Sequence, residues 1–260
     1  MNKLIWLSDP HFTANGLVLG HDPRIRLQAA IDYINTHHSD ADCCIISGDL
    51  VNHGTSPDYA ALASQLKSLS VPMLPMAGNH DNRDLLREHF TLPKTAMPDF
   101  VQYSITTPNG EIICLDTKKT GSDAGEFYPD RTNWLELHLN QNPETPTYVF
   151  MHHPPRPLDL PMQDADCMEN GDAFLDMLAR YRQIKHLFIG HVHRPITGTM
   201  NAIPFATMRS VLYQVPPPIP AWNWDTFTPA LEAPQLGVLT LNGADYHLHY
   251  TQFCDDQTGT

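Results

Sequence analysis

The sequence is poor in positive charge. It contains 16 lysine and arginine residues against 29 aspartate and glutamate residues, which gives a formal net charge of −13. This excess of negative charge argues against a broad basic surface that would bind a nucleic acid polymer. It does not exclude a small phosphate ester as the substrate, because bound divalent cations can reverse the charge of a site locally.

The sequence also lacks the features of an exported, membrane-bound or disulfide-rich protein. The first predicted strand starts by Lys3, which leaves no room for a signal peptide. No apolar run approaches the roughly 20 residues of a membrane-spanning helix. The 5 cysteines are odd in number and lack zinc-finger spacing. We therefore expect a soluble, cytoplasmic protein without a membrane partner, whose Cys43, Cys44 and Cys114 behave as small apolar side chains.

Five short apolar runs each end in a polar loop that carries aspartate, asparagine or histidine. The loops are Asp9-Pro10-His11, Gly48-Asp49, Gly78-Asn79-His80-Asp81, His152-His153-Pro154 and Gly190-His191-Val192-His193. Apolar runs bounded by turns are typical of buried parallel strands, and ligands of open α/β sheets bind just beyond the carboxyl ends of such strands. We therefore expect the loops to converge on one site. Because they extend from Asp9 to His193, we expect residues 1–260 to form a single domain.

Helical patterns alternate with the first three of these runs. Asp22-Pro23 and Ser56-Pro57 are helix-start signals. Since strand and helix alternate, these strands should run parallel. Farther along, Pro108-Asn109-Gly110 lies between two strand-like runs and predicts a hairpin. The pattern indicates two half-sheets, each flanked by helices, that share one mouth.

A segment rich in proline and aromatic residues, at about 215–235, follows the last of these motifs. It contains Val215-Pro216-Pro217-Pro218-Ile219-Pro220, followed by Trp222, Trp224 and Phe227. Closely spaced prolines exclude a regular helix or a central strand there. The aromatic residues favour packing against the domain, and the alternative is a lid that covers the mouth.

Seven side chains of the loops offer oxygen or nitrogen donors, and none offers a thiolate. They are Asp9, His11, Asp49, Asn79, His152, His191 and His193. This set is too large for one tetrahedral zinc ion and suits two ions with five or six ligands each. A carboxylate can bridge two ions, and Asp49 is the candidate because it is central in the series. Two cations about 3.5–4 Å apart clamp the entering and leaving oxygens of a phosphate ester and lower the pKa of a bound water to roughly 7, so that a metal-bound hydroxide can attack phosphorus.

His80 and Asp81 are the candidate catalytic residues. His80 directly follows Asn79 and should not share its direction, so we expect it to stabilise charge on the phosphate or to protonate the leaving oxygen. Asp81 is expected to hold the His80 ring in one tautomer. His153, next to His152, is expected to make a supporting hydrogen bond rather than to bind metal.

In this order the five loops resemble those of the calcineurin-like metallophosphoesterases, a superfamily that includes purple acid phosphatases and protein Ser/Thr phosphatases. Three phrases make the chain most similar to the bacterial class III cyclic nucleotide phosphodiesterases and the related glycerophosphodiesterases. They are Gly48-Asp49-Leu50-Val51-Asn52, Met151-His152-His153-Pro154-Pro155 and Cys167-Met168-Glu169-Asn170-Gly171. The resemblance covers roughly Lys3 to Val215.

The resemblance implies an α/β fold, a four-layer αββα sandwich of two mixed sheets. It implies one metal ion bound by Asp9, His11, Asp49 and His193, and a second bound by Asp49, Asn79, His152 and His191. It implies iron and manganese as the leading metals, with zinc or cobalt as alternatives. Asn79, His80 and Asn52 are expected near the substrate. His53 and Tyr213 stand where relatives often carry other residues, and each is either pocket wall or ordinary surface.

Together these inferences favour a phosphodiesterase that hydrolyses a small phosphodiester, either a cyclic nucleotide such as 3′,5′-cAMP or a glycerophosphodiester. A broad-specificity phosphomonoesterase of the same fold is the nearest alternative. The negative charge disfavours a nuclease, and a non-catalytic scaffold is disfavoured because every predicted ligand position is filled. The sequence leaves the number of subunits open, and a homo-oligomer is compatible with it.

Overall fold

The structure, a computed structural model, describes residues 2–243 and 245–255. One of its sheets has five strands, which we number in chain order with those of the other sheet. In spatial order they are β11 Asp245–Gln252, β10 Gln235–Asn242, β1 Asn2–Leu7, β2 Cys43–Ile46 and β3 Met73–Pro75. As predicted, β1, β2 and β3 run parallel, whereas β10 pairs antiparallel with both β1 and β11. The sheet is therefore mixed.

The second sheet has six strands. In spatial order they are β4 Tyr103–Thr107, β5 Gly110–Cys114, β6 Thr147–Met151, β7 Ile184–Ile189, β9 Ile203–Thr207 and β8 Thr197–Met200. The antiparallel pair β4 and β5 is the hairpin predicted around Asn109. The strands from β5 through β6 and β7 to β9 run parallel, and β8 closes the edge antiparallel to β9.

Helices flank both sheets. They are α1 Pro23–His37, α2 Ser56–Leu66, α3 Arg83–His89, α4 Pro129–Gln141 and α5 Gly171–Leu178. Leu27 of α1 and Leu62 of α2 pack with the five-stranded sheet, and Leu135 of α4 and Leu175 of α5 pack with the six-stranded sheet. This arrangement confirms the predicted αββα sandwich. Within the described ranges, none of the helices is both long and apolar enough to cross a bilayer.

The starts of α1 and α2 follow the predicted signals closely. Asp22 caps α1, where its carboxylate accepts a 2.9 Å hydrogen bond from the Arg24 backbone N–H. Thr55, one residue before the predicted start signal, caps α2 by accepting a hydrogen bond from the Asp58 backbone N–H. A proline in the first turn of each helix fixes a helical φ where no intrahelical donor is needed.

Three aromatic rings join the two sheets. Trp6 of β1 packs edge-on against Phe188 of β7 with ring centroids 5.4 Å apart, and Phe188 stacks on Phe150 of β6 at 4.5 Å. The Trp6 indole N–H donates a 2.9 Å hydrogen bond to Ser47 Oγ, just beyond β2. Because all three rings are fully buried, they fix the sheets face to face and bring the carboxyl ends of β1, β2, β6 and β7 to one rim.

The cysteines behave as apolar residues. All five are free, and Cys43, Cys44 and Cys114 are buried in β2 and β5. Burial raises the pKa of the Cys43 thiol to about 12, so this group stays neutral at physiological pH. The expectation of small apolar side chains is confirmed at these positions.

His186 on β7 makes stability dependent on pH. It is 9% exposed, its Nδ1 lies 2.7 Å from the Tyr246 hydroxyl, and burial lowers its pKa to about 4. The unfolded chain has an ordinary histidine pKa of about 6.5, so it binds the proton more readily than the folded chain does. The stability that this neutral histidine provides is present above pH 6.5 and is lost as pH falls toward 4.

We predict that His186→Gln loses less stability on acidification than the wild type. Urea unfolding at pH 7 and pH 4.5 should show a pH-dependent loss that is smaller by roughly 1–3 kcal/mol. His247→Gln, on the exposed face of β11, is the matched control and should lose as much stability on acidification as the wild type does. An unchanged pH dependence in His186→Gln would contradict the prediction.

Candidate metal centre

The polar loops that follow β1, β2, β6 and β7 meet at one rim of the sandwich. Ligand atoms of Asp9, His11 and His193 lie within 4.8 Å of one another, and so do those of Asp9, Asp49 and His152. His11 Nε2 is 3.2 Å from His193 Nε2, which is 3.3 Å from Asp9 Oδ1. Residues separated by more than 180 positions in the chain therefore share one site.

Asp49 lies between two groups of these donors. Its Oδ2 is 3.6 Å from His11 Nε2 and 3.4 Å from His152 Nε2. On the His152 side, Asn79 Oδ1 lies 3.1 Å from His152 Nε2 and 3.2 Å from His191 Nδ1. One carboxylate oxygen thus faces both groups, which is the position that a bridging ligand requires. The structure brings together all the side chains predicted to bind metal, and their division between two ions stays a prediction.

Five of these side chains start from left-handed backbone. The φ angles are 54° at Asp9, 40° at His11, 47° at Asp49, 69° at His191 and 50° at His193. Residues other than glycine rarely adopt such angles, and each costs of order 1–3 kcal/mol. Strain of this kind persists only where the surrounding fold enforces it, and it is typical of functional sites.

Glycines let the loops approach one another closely. A Cβ atom on Gly78 would lie 2.2 Å from Asp49 Oδ1, and one on Gly48 would lie 2.4 Å from His152 Nδ1. Neither distance is compatible with non-bonded atoms, so a larger residue would push a donor out of the site. The sequence places both glycines directly before a predicted ligand.

Backbone carbonyls orient two of the histidines. His152 Nδ1–H donates to Ser47 O at 2.8 Å, and His193 Nδ1–H donates to Tyr213 O at 3.0 Å. Because each of these bonds engages Nδ1, the Nε2 atom of each ring faces the carboxylates. Such outer hydrogen bonds commonly hold metal-binding histidines in place.

The buried carboxylates and neutral imidazoles of the site fit divalent metal ions. Asp9 and Asp49 are buried, and within the described part of the chain neither has a lysine or arginine at ion-pair distance. Burial alone would raise the pKa of Asp49, but the His152 charge lowers it well below its usual value. Burial lowers the pKa of His11 and of His191 to about 3, so both rings are neutral. The ring nitrogens that face the other donors are His11 Nε2 and His191 Nδ1, and a neutral imidazole beside a carboxylate suits a divalent cation.

The predicted contact between Asp81 and the His80 ring is wrong. His80 Nδ1–H donates instead to Asn52 O at 2.8 Å. The buried Asp81 carboxylate accepts from the backbone N–H of Leu50 at 3.0 Å and from the Tyr59 hydroxyl at 2.7 Å. Asp81 therefore fixes the loop after β2. The Asn52 carbonyl, in that same loop, orients the His80 ring.

The residues predicted to surround the substrate are not all at the cleft. Asn79, His80 and Tyr213 line it, and the Tyr213 ring packs against His193 with centroids 4.5 Å apart. Asn52 contributes through its carbonyl, and its side chain contacts the exposed ring of His53 at 3.1 Å. Neither Asn52 nor His53 is among the described residues that line the cleft, so their prediction as substrate-binding side chains is not supported.

His153 makes supporting hydrogen bonds, as expected. Its Nδ1 accepts from the Thr117 hydroxyl at 2.8 Å, and its Nε2–H donates to Asp123 O at 3.1 Å. Both ring nitrogens are therefore used within the protein. This pair of bonds ties the loop that follows β5 to the metal-binding rim.

Sequence reasoning missed most of the outer wall of the cleft. That wall contains Asp123, Gln163, Asp166 and Val215, together with Trp224. Asp123 and Gln163 lie in loops and Asp166 lies in a short 3-10 helix, so no periodic pattern in the sequence indicated that they face the site. Val215 and Trp224 belong to the proline- and aromatic-rich segment, and its role as a lid stays a prediction.

Comparison with known proteins identifies the relatives of this chain. The family model described as calcineurin-like phosphoesterase matches residues 3–195. A probable cyclic nucleotide phosphodiesterase of Rhodopseudomonas palustris is 38% identical over 82% of this chain and 79% of its own length. A glycerophosphodiester phosphodiesterase of Enterobacter lignolyticus is 29% identical over 82% of this chain and 78% of its own.

A solved structure shares the fold at low sequence identity. A dimetal phosphatase from Danio rerio superposes with a TM-score of 0.73 at 14% identity, covering 98% of this chain and 97% of the other. At this identity the likeness concerns the fold alone. It agrees with the αββα sandwich described above.

We predict that Gly78→Ala weakens metal binding without unfolding the protein. The added methyl group would displace the Asp49 carboxylate, and metal affinity should fall by roughly 10- to 100-fold. Chelator competition followed by elemental analysis measures this affinity, and circular dichroism checks the fold. Gly198→Ala on β8, whose new Cβ would lie nearest to the Phe205 ring, is the control. A folded Gly78→Ala variant with wild-type affinity would contradict the prediction.

Proposed function

This chain belongs to the calcineurin-like phosphoesterase family, and from that premise we propose that it hydrolyses small phosphodiesters with the help of two bound metal ions. The observation that carries the proposal is the position of Asp49 Oδ2, between His11 Nε2 at 3.6 Å and His152 Nε2 at 3.4 Å. A single carboxylate oxygen that faces two groups of donors suits a pair of ions better than one.

The donor set indicates how each ion would be bound. Asp9, His11 and His193 would hold one ion and Asn79, His152 and His191 the other, with Asp49 shared. The family resemblance favours iron or manganese, with zinc or cobalt as alternatives, and oxygen and imidazole donors without a thiolate are compatible with these metals. When bound, such a pair supplies Lewis-acid stabilisation of the phosphate oxygens and a water of lowered pKa as the nucleophile.

His80 would act on the phosphate from the cleft side. Because its Nδ1–H is committed to Asn52 O at 2.8 Å, Nε2 is the ring nitrogen available to the substrate. In hydrolysis a bond forms between a water oxygen and phosphorus, and the bond from phosphorus to one ester oxygen breaks. In its imidazolium form, His80 would donate the Nε2 proton, or a hydrogen bond from Nε2–H, to an oxygen on phosphorus, giving a phosphomonoester and an alcohol.

The wall of the cleft favours diesters over monoesters. Asp123 and Asp166 place two carboxylates beside the site, and they repel a dianionic phosphomonoester more strongly than a monoanionic phosphodiester. The names of the curated relatives, which are cyclic nucleotide and glycerophosphodiester phosphodiesterases, support the same class. We therefore place a cyclic nucleotide or a glycerophosphodiester ahead of any phosphomonoester.

The metal-loaded protein should hydrolyse bis(4-nitrophenyl) phosphate. We expect release of 4-nitrophenol with manganese, iron, cobalt or zinc, its loss on chelation, and a higher kcat/KM than for 4-nitrophenyl phosphate. Asp49→Asn should abolish the activity, because the shared carboxylate is weakened toward both ions. An inert protein in the presence of all four metals would refute the proposal.

His80→Ala should slow turnover while leaving the metals bound. We expect kcat for bis(4-nitrophenyl) phosphate to fall by roughly 10²- to 10⁴-fold, the range for general acid–base groups. His37→Ala, at the exposed end of α1, controls for loss of a histidine. Elemental analysis that found empty metal sites in His80→Ala would show that the residue has a different role.

A further inference from the structure

The loop that follows β9 lies against the inner side of the metal-binding rim. It extends over residues 208–215, beyond residue 195, where the match to the family model ends. Within this loop Ser210 is fully buried and Gln214 is 1% exposed. Neither side chain is among the seven predicted metal ligands, so what they do at the rim follows from the residues that they contact.

The Ser210 hydroxyl holds the backbone of Asp9. Its Oγ–H donates a 2.7 Å hydrogen bond to Asp9 O, and the same oxygen accepts from the Leu212 backbone N–H at 2.9 Å. A hydroxyl has one proton to donate, so that proton is committed to Asp9. The φ angle of Asp9 is 54°, and a non-glycine residue keeps such a conformation only where its surroundings enforce it. The bond from Ser210 is one of the contacts that enforce it.

Gln214 in turn holds Ser210. Its side-chain Oε1 accepts from the Ser210 backbone N–H at 3.0 Å, and its Nε2–H donates to Ser210 O at 2.8 Å. The Val211 backbone N–H donates to Ser8 O at 2.9 Å, which ties the loop to the chain just after β1. Because these groups are buried, breaking any of the bonds would leave a polar atom without water to replace its partner. Ser210 is therefore fixed relative to Asp9.

The loop contacts the proposed ligands of one ion and not those of the other. His193 Nδ1–H donates to Tyr213 O at 3.0 Å, and the Tyr213 ring packs against the rings of His11 and His193 with centroids 5.3 and 4.5 Å away. With the bond to Asp9, the loop touches three of the four ligands proposed for this ion. In the described part of the chain, no hydrogen bond or ring contact joins it to the ligands proposed for the other ion alone, which are Asn79, His152 and His191.

We propose that Ser210 is a positioning residue for the ion bound by Asp9, His11, Asp49 and His193, and that Gln214 acts through it. This inference rests on the proposed function. Without the hydroxyl, Asp9 O would be buried and unpaired, and the strained Asp9 backbone would lose a bond that opposes its relaxation. The carboxylate would then move away from the ion. Hydrogen bonds that support metal ligands are worth roughly 10- to 100-fold in metal affinity.

The other ion should be affected much less. The Asp9 carboxylate does accept from the His191 backbone N–H at 3.2 Å, which connects the two halves of the site. The segment that carries His191 has a support of its own, because the Gly190 backbone N–H donates to Met151 O at 3.1 Å. The His191 ring should therefore keep its place when Asp9 moves.

Two background variants separate the ions in the experiment. Asn79→Ala removes a ligand of one ion and leaves the Asp9 ion to be measured, and His193→Ala does the reverse. Calorimetric titration with manganese measures the affinity in each background. Ser210→Ala should lower it by roughly 10- to 100-fold in the Asn79→Ala protein and much less in the His193→Ala protein. Equal losses in the two backgrounds, or no loss in the Asn79→Ala protein, would overturn the inference.

Thr147→Val is the matched control for loss of a buried hydroxyl. Thr147 is 1% exposed, and its hydroxyl donates to Thr145 O at 2.9 Å at the start of β6, away from the rim. Ser210→Ala and Thr147→Val should both lower the urea midpoint of the metal-free protein, but only Ser210→Ala should lower manganese affinity. An equal loss of affinity in Thr147→Val would overturn the inference, because general destabilisation would then explain it.

Gln214→Met provides a second variant that keeps the length of the side chain and removes its amide. It should lower manganese affinity in the Asn79→Ala background in the same direction as Ser210→Ala does. It also decides the inference if Ser210→Ala does not fold. Wild-type affinity in a folded Gln214→Met protein would show that the loop does not position Asp9.

Failure of this inference is distinguishable from failure of the proposed function. If the wild type binds two manganese ions and Ser210→Ala binds both as tightly, the metal centre stands and the inference is wrong. If the wild type binds one ion, the two-ion proposal is wrong, and the affinity of Ser210→Ala relative to Thr147→Val still decides the inference. If the wild type binds none, both are wrong.

Discussion

The burial of the Asp9 and Asp49 carboxylates among histidines at one rim is the constraint on which the rest of the site depends. Burying a carboxylate costs several kcal/mol even after the protein relaxes around it. The described residues supply Asp9 and Asp49 with histidines as their only ionisable partners of positive type. Two of the rings beside them, His11 and His191, are held neutral by burial. A cation on either side of Asp49 would compensate both the buried negative charge and the left-handed backbone that directs these side chains inward.

The fold serves this interaction by holding the carboxyl ends of strands from two sheets at one rim. The buried rings of Trp6, Phe150 and Phe188 fix the sheets against each other. Ser47 Oγ accepts the Trp6 indole N–H at 2.9 Å, and Ser47 O accepts from His152 Nδ1 at 2.8 Å. Ser47 therefore connects the packing of the core to the orientation of His152, a predicted metal ligand. Asp81 also has two structural contacts of this kind, because its carboxylate links the loops after β2 and β3.

The order of strands and the identity of the converging residues were predictable from sequence because both follow from local patterns. Each apolar run stops at a glycine or at a polar residue, and parallel strands carry their following loops to one edge. The orientation of individual side chains was not predictable. Asp81 is adjacent to His80 in the chain, yet it bonds to Tyr59, and Asn52 O orients the histidine. The outer wall of the cleft was missed for the same reason, since the paths of the segments that carry Gln163 and Asp166 depend on distant contacts.

The seven donors at the strand ends are proposed to hold two metal ions, and this is the central claim. Anomalous diffraction from crystals of the protein purified without added metal tests it most directly. The account predicts two anomalous peaks on opposite sides of Asp49, one among Asp9, His11 and His193 and the other among Asn79, His152 and His191. A single peak, or a rim without any peak after manganese is added, would contradict it.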